Sequence, residues 1–196
     1  MGMRDLSTEF GRAGLEFITV ADPGHPYIPP AVAAAATNAS EFPGRRWFEI
    51  PDDAPDLVER GNAAWHEMCC GHGLFTPEDR RFLVAVDLSE DSAYGTRWWA
   101  EVALTDDWDV VGEGSAGILG LGRGRPVFVM LSRDGDVAVR GDLWQRSIGG
   151  VLVPDVQRMQ RSRQATGWIL DDPRSSPADL RAVRRWLDHL AGLPDR

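Results

Sequence analysis

The residues best suited to chemistry lie in one short segment, WHEMCCGHGLF, at positions 65–75. Both cysteines of the chain, Cys69 and Cys70, fall here, together with two histidines. Zinc accepts nitrogen, sulfur and oxygen ligands, and three protein ligands leave one position open for chemistry. The segment therefore predicts a candidate metal site, most simply for zinc, with the ligands His66, Cys70, His72 and Glu59.

Two other interpretations of this segment stay open. In the first, Cys70 is a thiolate nucleophile activated by His66, which lies four residues earlier on a helix and can reach it. The negative end of the helix dipole raises a thiol pKa, which weighs against this chemistry. In the second, the segment is an ordinary helix end with small buried cysteines and polar histidines at the surface.

A helical wheel divides the segment from about 54 to 70 into two sides. At 100° per residue one side is apolar and predicts the core face, made of Leu57, Gly61, Ala64, Trp65 and Met68. The opposite side is polar and holds Glu59, Asn62, His66 and Cys70. The chemistry of the segment therefore depends on what covers the second side.

A glycine run, GEGSAGILGLGRG, offers a second candidate site at 112–124. Gly112, Gly114 and Gly117 have the spacing of a dinucleotide-binding turn, which must open a helix that holds the pyrophosphate. Further glycines and Pro126 follow at once, and we expect that such a segment will not hold a helix. The alternative is a glycine-rich turn between two strands.

The basic residues are 21 arginines and no lysine. A Schiff-base lysine, a phosphate-loop lysine and the ATP-pairing lysine of protein kinases are therefore all absent from this sequence. The serine elbow of hydrolases and the paired-histidine zinc motif of metalloproteases are absent as well. The sequence thus excludes several enzyme classes and supplies no complete catalytic set.

Charge is unevenly distributed along the chain. The segment from Glu49 to Glu113 carries sixteen acids and four arginines, whereas Gly114 to Arg196 carries nine acids and thirteen arginines. An acidic chain repels nucleic acid, so we expect a protein partner, with basic groups as the natural complement. The candidate partner-binding residues are Trp98, Trp99, Asp106, Asp107 and Asp109. A solvated acidic surface is the plainer alternative.

The arginines of the last third form a second charged group. Arg181, Arg184 and Arg185, with three more near 158–163, have the chemistry of a phosphate-binding patch. They also fit the solvated faces of two helices, and the sequence leaves that choice open.

Local patterns predict the elements that must position these residues. LEFITV at 15–20 alternates as a strand does, and RPVFVMLSRDGDVAVRG at about 125–141 predicts a hairpin with Asp134-Gly135 at its turn. Helices are expected at 54–70 and at 177–191, the latter capped by Ser176. We expect TRWWAEVAL and WDVV to be strands and 153–164 to be a short helix. Residues 77–88 fit a helix or a strand equally well. The fold class is therefore α+β, a central antiparallel sheet with helices packed on it.

Length and composition predict one domain over 1–196 and no transmembrane helix. Two adjacent cysteines agree with a reducing compartment, and the acidic first residues show no secretory signal, so we expect a cytoplasmic protein.

The order WDVVGEG, then RPVFVMLSRDGDVAVRG, then VPDVQRM, over Trp108 to Met159, resembles the SMI1/KNR4-like proteins, a group rich in bacterial toxin-immunity proteins. This resemblance implies a non-enzymatic, acidic protein that binds a partner as an inhibitor or immunity factor does. The alternative is a small enzyme or metal-binding protein that uses His66, Cys70 and His72. No cofactor is predicted beyond the zinc of that alternative.

Overall fold

The structure is a computed structural model that describes residues 5–22, 24–38, 43–88, 97–120 and 125–192. Within these ranges the chain forms six helices and seven strands. In chain order they are α1 Leu6–Arg12, β1 Leu15–Val20, α2 Pro30–Ala36, β2 Arg46–Pro51, α3 Leu57–Gly71, β3 Arg81–Asp87, β4 Arg97–Leu104, α4 Glu113–Ala116, β5 Val129–Leu131, β6 Ala138–Trp144, β7 Ser147–Val153, α5 Gln160–Asp171 and α6 Pro177–Ala191.

The seven strands form one sheet in the order β1-β4-β3-β5-β6-β7-β2, and every pairing is antiparallel. The predicted hairpin is β5–β6. Its turn is closed by a 2.9 Å hydrogen bond from the Ser132 backbone N–H to the Val137 carbonyl. Gly135 has φ of +80°, a left-handed conformation that a side chain disfavours. The predicted α+β fold is confirmed.

Helices cover both faces of the sheet. Successive strand residues point to opposite faces, and in β3 Phe82 and Val84 enter one apolar cluster while Leu83 enters another. The first cluster takes its helical residues from α1 and α3 and also includes residues of the 110–119 segment. The second cluster takes them from α2, α5 and α6. We call these two sides of the sheet the first face and the second face.

Residues 77–88, which the sequence leaves open between helix and strand, contain strand β3, although the Asp79 N–H donates a 3.0 Å hydrogen bond to Thr76 Oγ1 as at a helix start. Two other local expectations need correction. WDVV, at 108–111, is not a strand, and the helix expected at 153–164 is α5, beginning only at Gln160. Pairing with β4 and β5 makes residues 81–87 a strand, whereas Asp109 and Val111 of WDVV are hydrogen-bonded to Asn62 outside the sheet.

None of the helices in the described ranges is long and apolar enough to cross a membrane.

Candidate functional site

The polar side of α3 is covered by the segment that follows β4. The imidazole of His66 stacks on the Trp108 ring, with ring centroids 5.2 Å apart and an interplanar angle of 13°. Phe75 lies on another side of the same imidazole, at 5.6 Å. His66 is thus held in a half-buried aromatic contact between two parts of the chain.

The two cysteines differ in environment. Cys69 is fully buried in the first-face core, and burial, followed by its neighbour Cys70, raises the pKa of its thiol well above the ordinary value. Cys70 is half-buried and packs against the same core. A buried thiol with a raised pKa is a poor nucleophile and a poor metal ligand, because both roles need the thiolate.

The four candidate metal ligands lie in unlike surroundings. His66 and Cys70 are half-buried, whereas Glu59 and His72 are exposed. Across the ranges that the structure describes, no group of three or more His, Cys, Asp or Glu side chains is placed to hold a metal ion. The zinc site stays a prediction of the sequence.

Asn62, on the same side of α3, has a structural role. Its Nδ2 donates a 2.7 Å hydrogen bond to Asp109 Oδ1, and its Oδ1 accepts one of 2.9 Å from the Val111 backbone N–H. Asp109 also accepts hydrogen bonds from the backbone N–H groups of Gly112 and Glu113. Burial acts to raise the Asp109 pKa, but these hydrogen bonds outweigh it and hold the pKa below its ordinary value.

The glycine run forms part of this same structure. The four-residue helix α4 ends at Ala116 and residues 117–120 are turns, so over the described residues the glycines that follow do not extend it. Its start is held by the Asp109 carboxylate, which occupies the place that a phosphate would take at a nucleotide-binding turn.

A cavity of about 320 Å³ lies on the second face, between the loop after β1, the start of β4 and helix α6. We call it the α6 cavity. Its buried lining includes Pro29, Pro30, Trp99 and Trp186, and its exposed lining includes Asp22, His25 and Arg181. The volume is within the range of small-molecule pockets.

The loop wall of the α6 cavity is fixed to β4 at two points. The Ala21 backbone N–H donates a 2.8 Å hydrogen bond to the Trp99 carbonyl. The Trp99 indole Nε1 donates another, also of 2.8 Å, to the Ile28 carbonyl. Pro26 lies between these points, Pro29 and Pro30 follow directly, and each proline restricts the backbone of the wall. The wall is therefore held in place by contacts within the chain.

His25 and Tyr27 form an aromatic pair in the same loop. The rings of His25 and Tyr27 stack with centroids 3.9 Å apart, and the Tyr27 hydroxyl donates to the Arg133 carbonyl at 3.2 Å. Burial, followed by the nearby charge of Glu101, raises the Tyr27 pKa above its ordinary value. Tyr27 therefore remains a neutral hydrogen-bonding group across the physiological pH range.

Helix α6 supplies the opposite wall. It begins where the sequence predicts, because Ser176 Oγ accepts a 3.0 Å hydrogen bond from the Asp179 N–H. Arg181 and Arg185 are four residues apart, so both fall on the side of the helix that borders the cavity. Arg184, the residue directly before Arg185, is exposed and does not line the cavity.

The predicted partner-binding residues are divided between three places. Trp98 and Trp99 both border the α6 cavity, and Trp98 also packs against the first-face core. Asp106 and Asp107 are exposed beyond the other end of β4, where Asp106 pairs with Arg80 at 2.7 Å. The Asp109 carboxylate accepts the hydrogen bond from Asn62 described above. The five residues do not form one surface.

Sequence reasoning missed most of this cavity. The sequence patterns single out neither Trp186, which is fully buried at the cavity wall, nor the proline-rich loop. The i, i+4 pair Arg181 and Arg185 beside Trp186 is the one local signal of a binding face.

Comparison with known protein families, curated protein sequences and solved structures finds no match to this chain. The resemblance over 108–159 gains no support from these comparisons.

Proposed function

We propose that this protein is a binding protein whose recognition site is the α6 cavity. The observation that carries the proposal is a formed cavity of about 320 Å³ with buried tryptophan rings in its wall and ionisable side chains at its exposed end. Apolar walls with a few convergent polar groups are typical of small-molecule sites. The two backbone and indole hydrogen bonds that fix the loop support it, since a preorganised site spends less free energy on ordering when a ligand binds.

The proposal is tested by identifying small molecules that stay bound to the protein. The protein is equilibrated with a metabolite extract, separated from free molecules and weighed by native mass spectrometry. We expect a retained small molecule in the wild type. We expect none in Ala182→Phe, because Ala182 lines the cavity and a benzyl side chain occupies it. Ala191→Phe is the matched control, since Ala191 lies on the same helix, is exposed and does not line the cavity.

Retention of the same molecules by the wild type and Ala182→Phe, or no retention by either, would contradict a ligand site in this cavity. Circular dichroism of both variants checks that the fold is kept.

The second candidate function is recognition of a protein partner, and Trp47 is the observation that favours it. Trp47 is 58% exposed and lies on β2, an edge strand that pairs with β7 alone among the strands described. An exposed edge strand presents unpaired backbone groups to an incoming strand, and tryptophan is enriched at the centres of interfaces. Asp106 and Asp107 are exposed acids whose charge would complement a basic partner.

This second function is tested by affinity capture from the native lysate with three forms of the protein. A stoichiometric partner should be held by the wild type and lost from Trp47→Ala. Trp168→Ala is the control, because Trp168 is similarly exposed, at 53%, but lies on helix α5. A partner that is bound equally by all three forms would exclude the β2 edge as its site.

A further inference from the structure

The charges around the α6 cavity are mainly of one sign. Among the described residues, three arginines line it, Arg97, Arg181 and Arg185, against one carboxylate, Asp22. The Asp22 carboxylate accepts a 2.7 Å hydrogen bond from the Gly24 N–H, so part of its hydrogen-bonding capacity is used within its own loop. The cavity therefore presents a net positive lining, although the chain as a whole is acidic.

Arg181 and Arg185 form no ion pair with an acid in the ranges 5–22, 24–38, 43–88, 97–120 and 125–192, whereas Arg97 lies opposite Asp87 in the β3–β4 ladder. The three arginines reach the cavity from two directions, Arg97 from the start of β4 and the other two from α6. Guanidinium groups bind carboxylate, sulfonate and phosphate oxygens through paired N–H donors, which makes an anion their natural complement.

The beginning of α6 adds an independent observation. Ala178, in the first turn of α6, also borders the cavity, so the positive end of the helix dipole acts in the same sense as the arginines.

We infer that the ligand of the α6 cavity is a small organic acid, with an apolar or aromatic body against the tryptophans and one carboxylate, sulfonate or phosphate group at the arginines. This inference rests on the proposed function, because it names the ligand class of the same site. The body and the acid group make separate contacts, so an experiment can separate the inference from the function on which it rests.

Two fluorescent probes provide that separation. Anilinonaphthalenesulfonate has an aromatic body and one anionic group, and N-phenylnaphthylamine has the same body without the sulfonate. We expect the full chain to bind the anionic probe at least about tenfold more tightly than the neutral probe in fluorescence titrations, because charge-assisted hydrogen bonds are made only to the sulfonate. Ala182→Phe should weaken the binding of both probes, and Ala191→Phe the binding of neither.

Replacing the arginines should affect one probe only. Arg181→Gln with Arg185→Gln should weaken the anionic probe about tenfold and leave the neutral probe unchanged. Arg184→Gln is the matched control, since it removes the same charge from the same helix outside the cavity.

The outcomes are distinct. If both probes bind equally and both are lost in Ala182→Phe, the cavity binds ligands but the anionic class is wrong. If the anionic probe is weakened equally by Arg184→Gln and by the double variant, general charge attraction explains its binding and the inference fails. If neither probe binds, or if Ala182→Phe changes neither, the proposed site itself is wrong.

Discussion

The side-chain amide of Asn62 joins helix α3 to the segment that follows β4 by two hydrogen bonds, one of which is the 2.7 Å contact with the Asp109 carboxylate. The helix face that the sequence presents as polar is therefore an internal contact at Asn62 and His66, while Glu59 on the same face is exposed. Asp109 in turn holds the backbone N–H groups at the start of α4. One amide and one carboxylate thus organise the glycine-rich segment.

Removing the amide should destabilise the protein. Asn62→Ala leaves the Val111 N–H and the partly buried Asp109 carboxylate short of a partner, and we expect the free energy of unfolding to fall by about 1–3 kcal/mol. Urea denaturation followed by circular dichroism measures this change. Glu59→Ala, an exposed position on the same helix, should change it by less than about 0.5 kcal/mol. Equal effects of the two substitutions would contradict the structural role of Asn62.

The Asp79 carboxylate should make stability depend on pH in the acid range. Hydrogen bonding from Arg81, opposed by burial and assisted by Arg133, lowers the pKa of Asp79 from 3.8 to about 2. Because the folded pKa lies below the unfolded one, the contribution is fully present above about pH 4 and is lost as the pH falls toward 2. The side chain is 40% exposed, so solvent screening keeps the contribution within about 1 kcal/mol.

The test compares Asp79→Asn with the wild type at pH 7 and near pH 2. The variant should be less stable at pH 7, and the difference should shrink at the lower pH. Asp107→Asn, at an exposed carboxylate, should match the wild type at both. A stability difference for Asp79→Asn that does not vary with pH would show that charge is not its cause.

The two adjacent cysteines should differ in reactivity with alkylating reagents. Cys70 is half-buried, whereas Cys69 is fully buried and its thiol pKa is raised by burial. Timed alkylation with iodoacetamide, read by peptide mass spectrometry, should modify Cys70 first and leave Cys69 protected in the native state. In guanidinium the two should react at similar rates. Faster native-state labelling of Cys69 would contradict the burial of this side chain.

His66 provides the test of the zinc prediction. Its stacking on Trp108 predicts that His66→Ala lowers the free energy of unfolding by about 0.5–1.5 kcal/mol, with or without a chelator. The exposed His72→Ala should have little effect. A melting temperature that zinc raises in the wild type and fails to raise in His66→Ala or Cys70→Ala would instead establish the metal site.

Elements with strong local signals could be predicted from the sequence. The Asp134-Gly135 turn needs a left-handed residue at one position and finds glycine there, and Ser176 caps the N–H of a residue only three positions ahead. These interactions act within a few residues, so the identities of neighbouring residues are sufficient to predict them. Residues 77–88 remained ambiguous because a short apolar run suits a buried strand and a buried helix equally.

The candidate site could be predicted only in part, because its members are distant in sequence. The α6 cavity joins the loop at 21–30, the start of β4 and residues 178–186 of α6, and these meet because β4 pairs beside β1 and α6 packs on the second face. For the same reason, the residues that cover His66 and Asn62 come from beyond β4.

Composition and local pattern alone therefore determined the fold class, the hairpin, the two long helices and the absence of lysine-dependent chemistry in this chain. The cavity shared by Trp99, Trp186 and three arginines, and the internal contact at Asn62 on α3, depend on how distant elements pack. The physical reason is that hydrogen bonds in turns and caps are local, whereas strand order and helix packing bring together side chains that no local pattern relates.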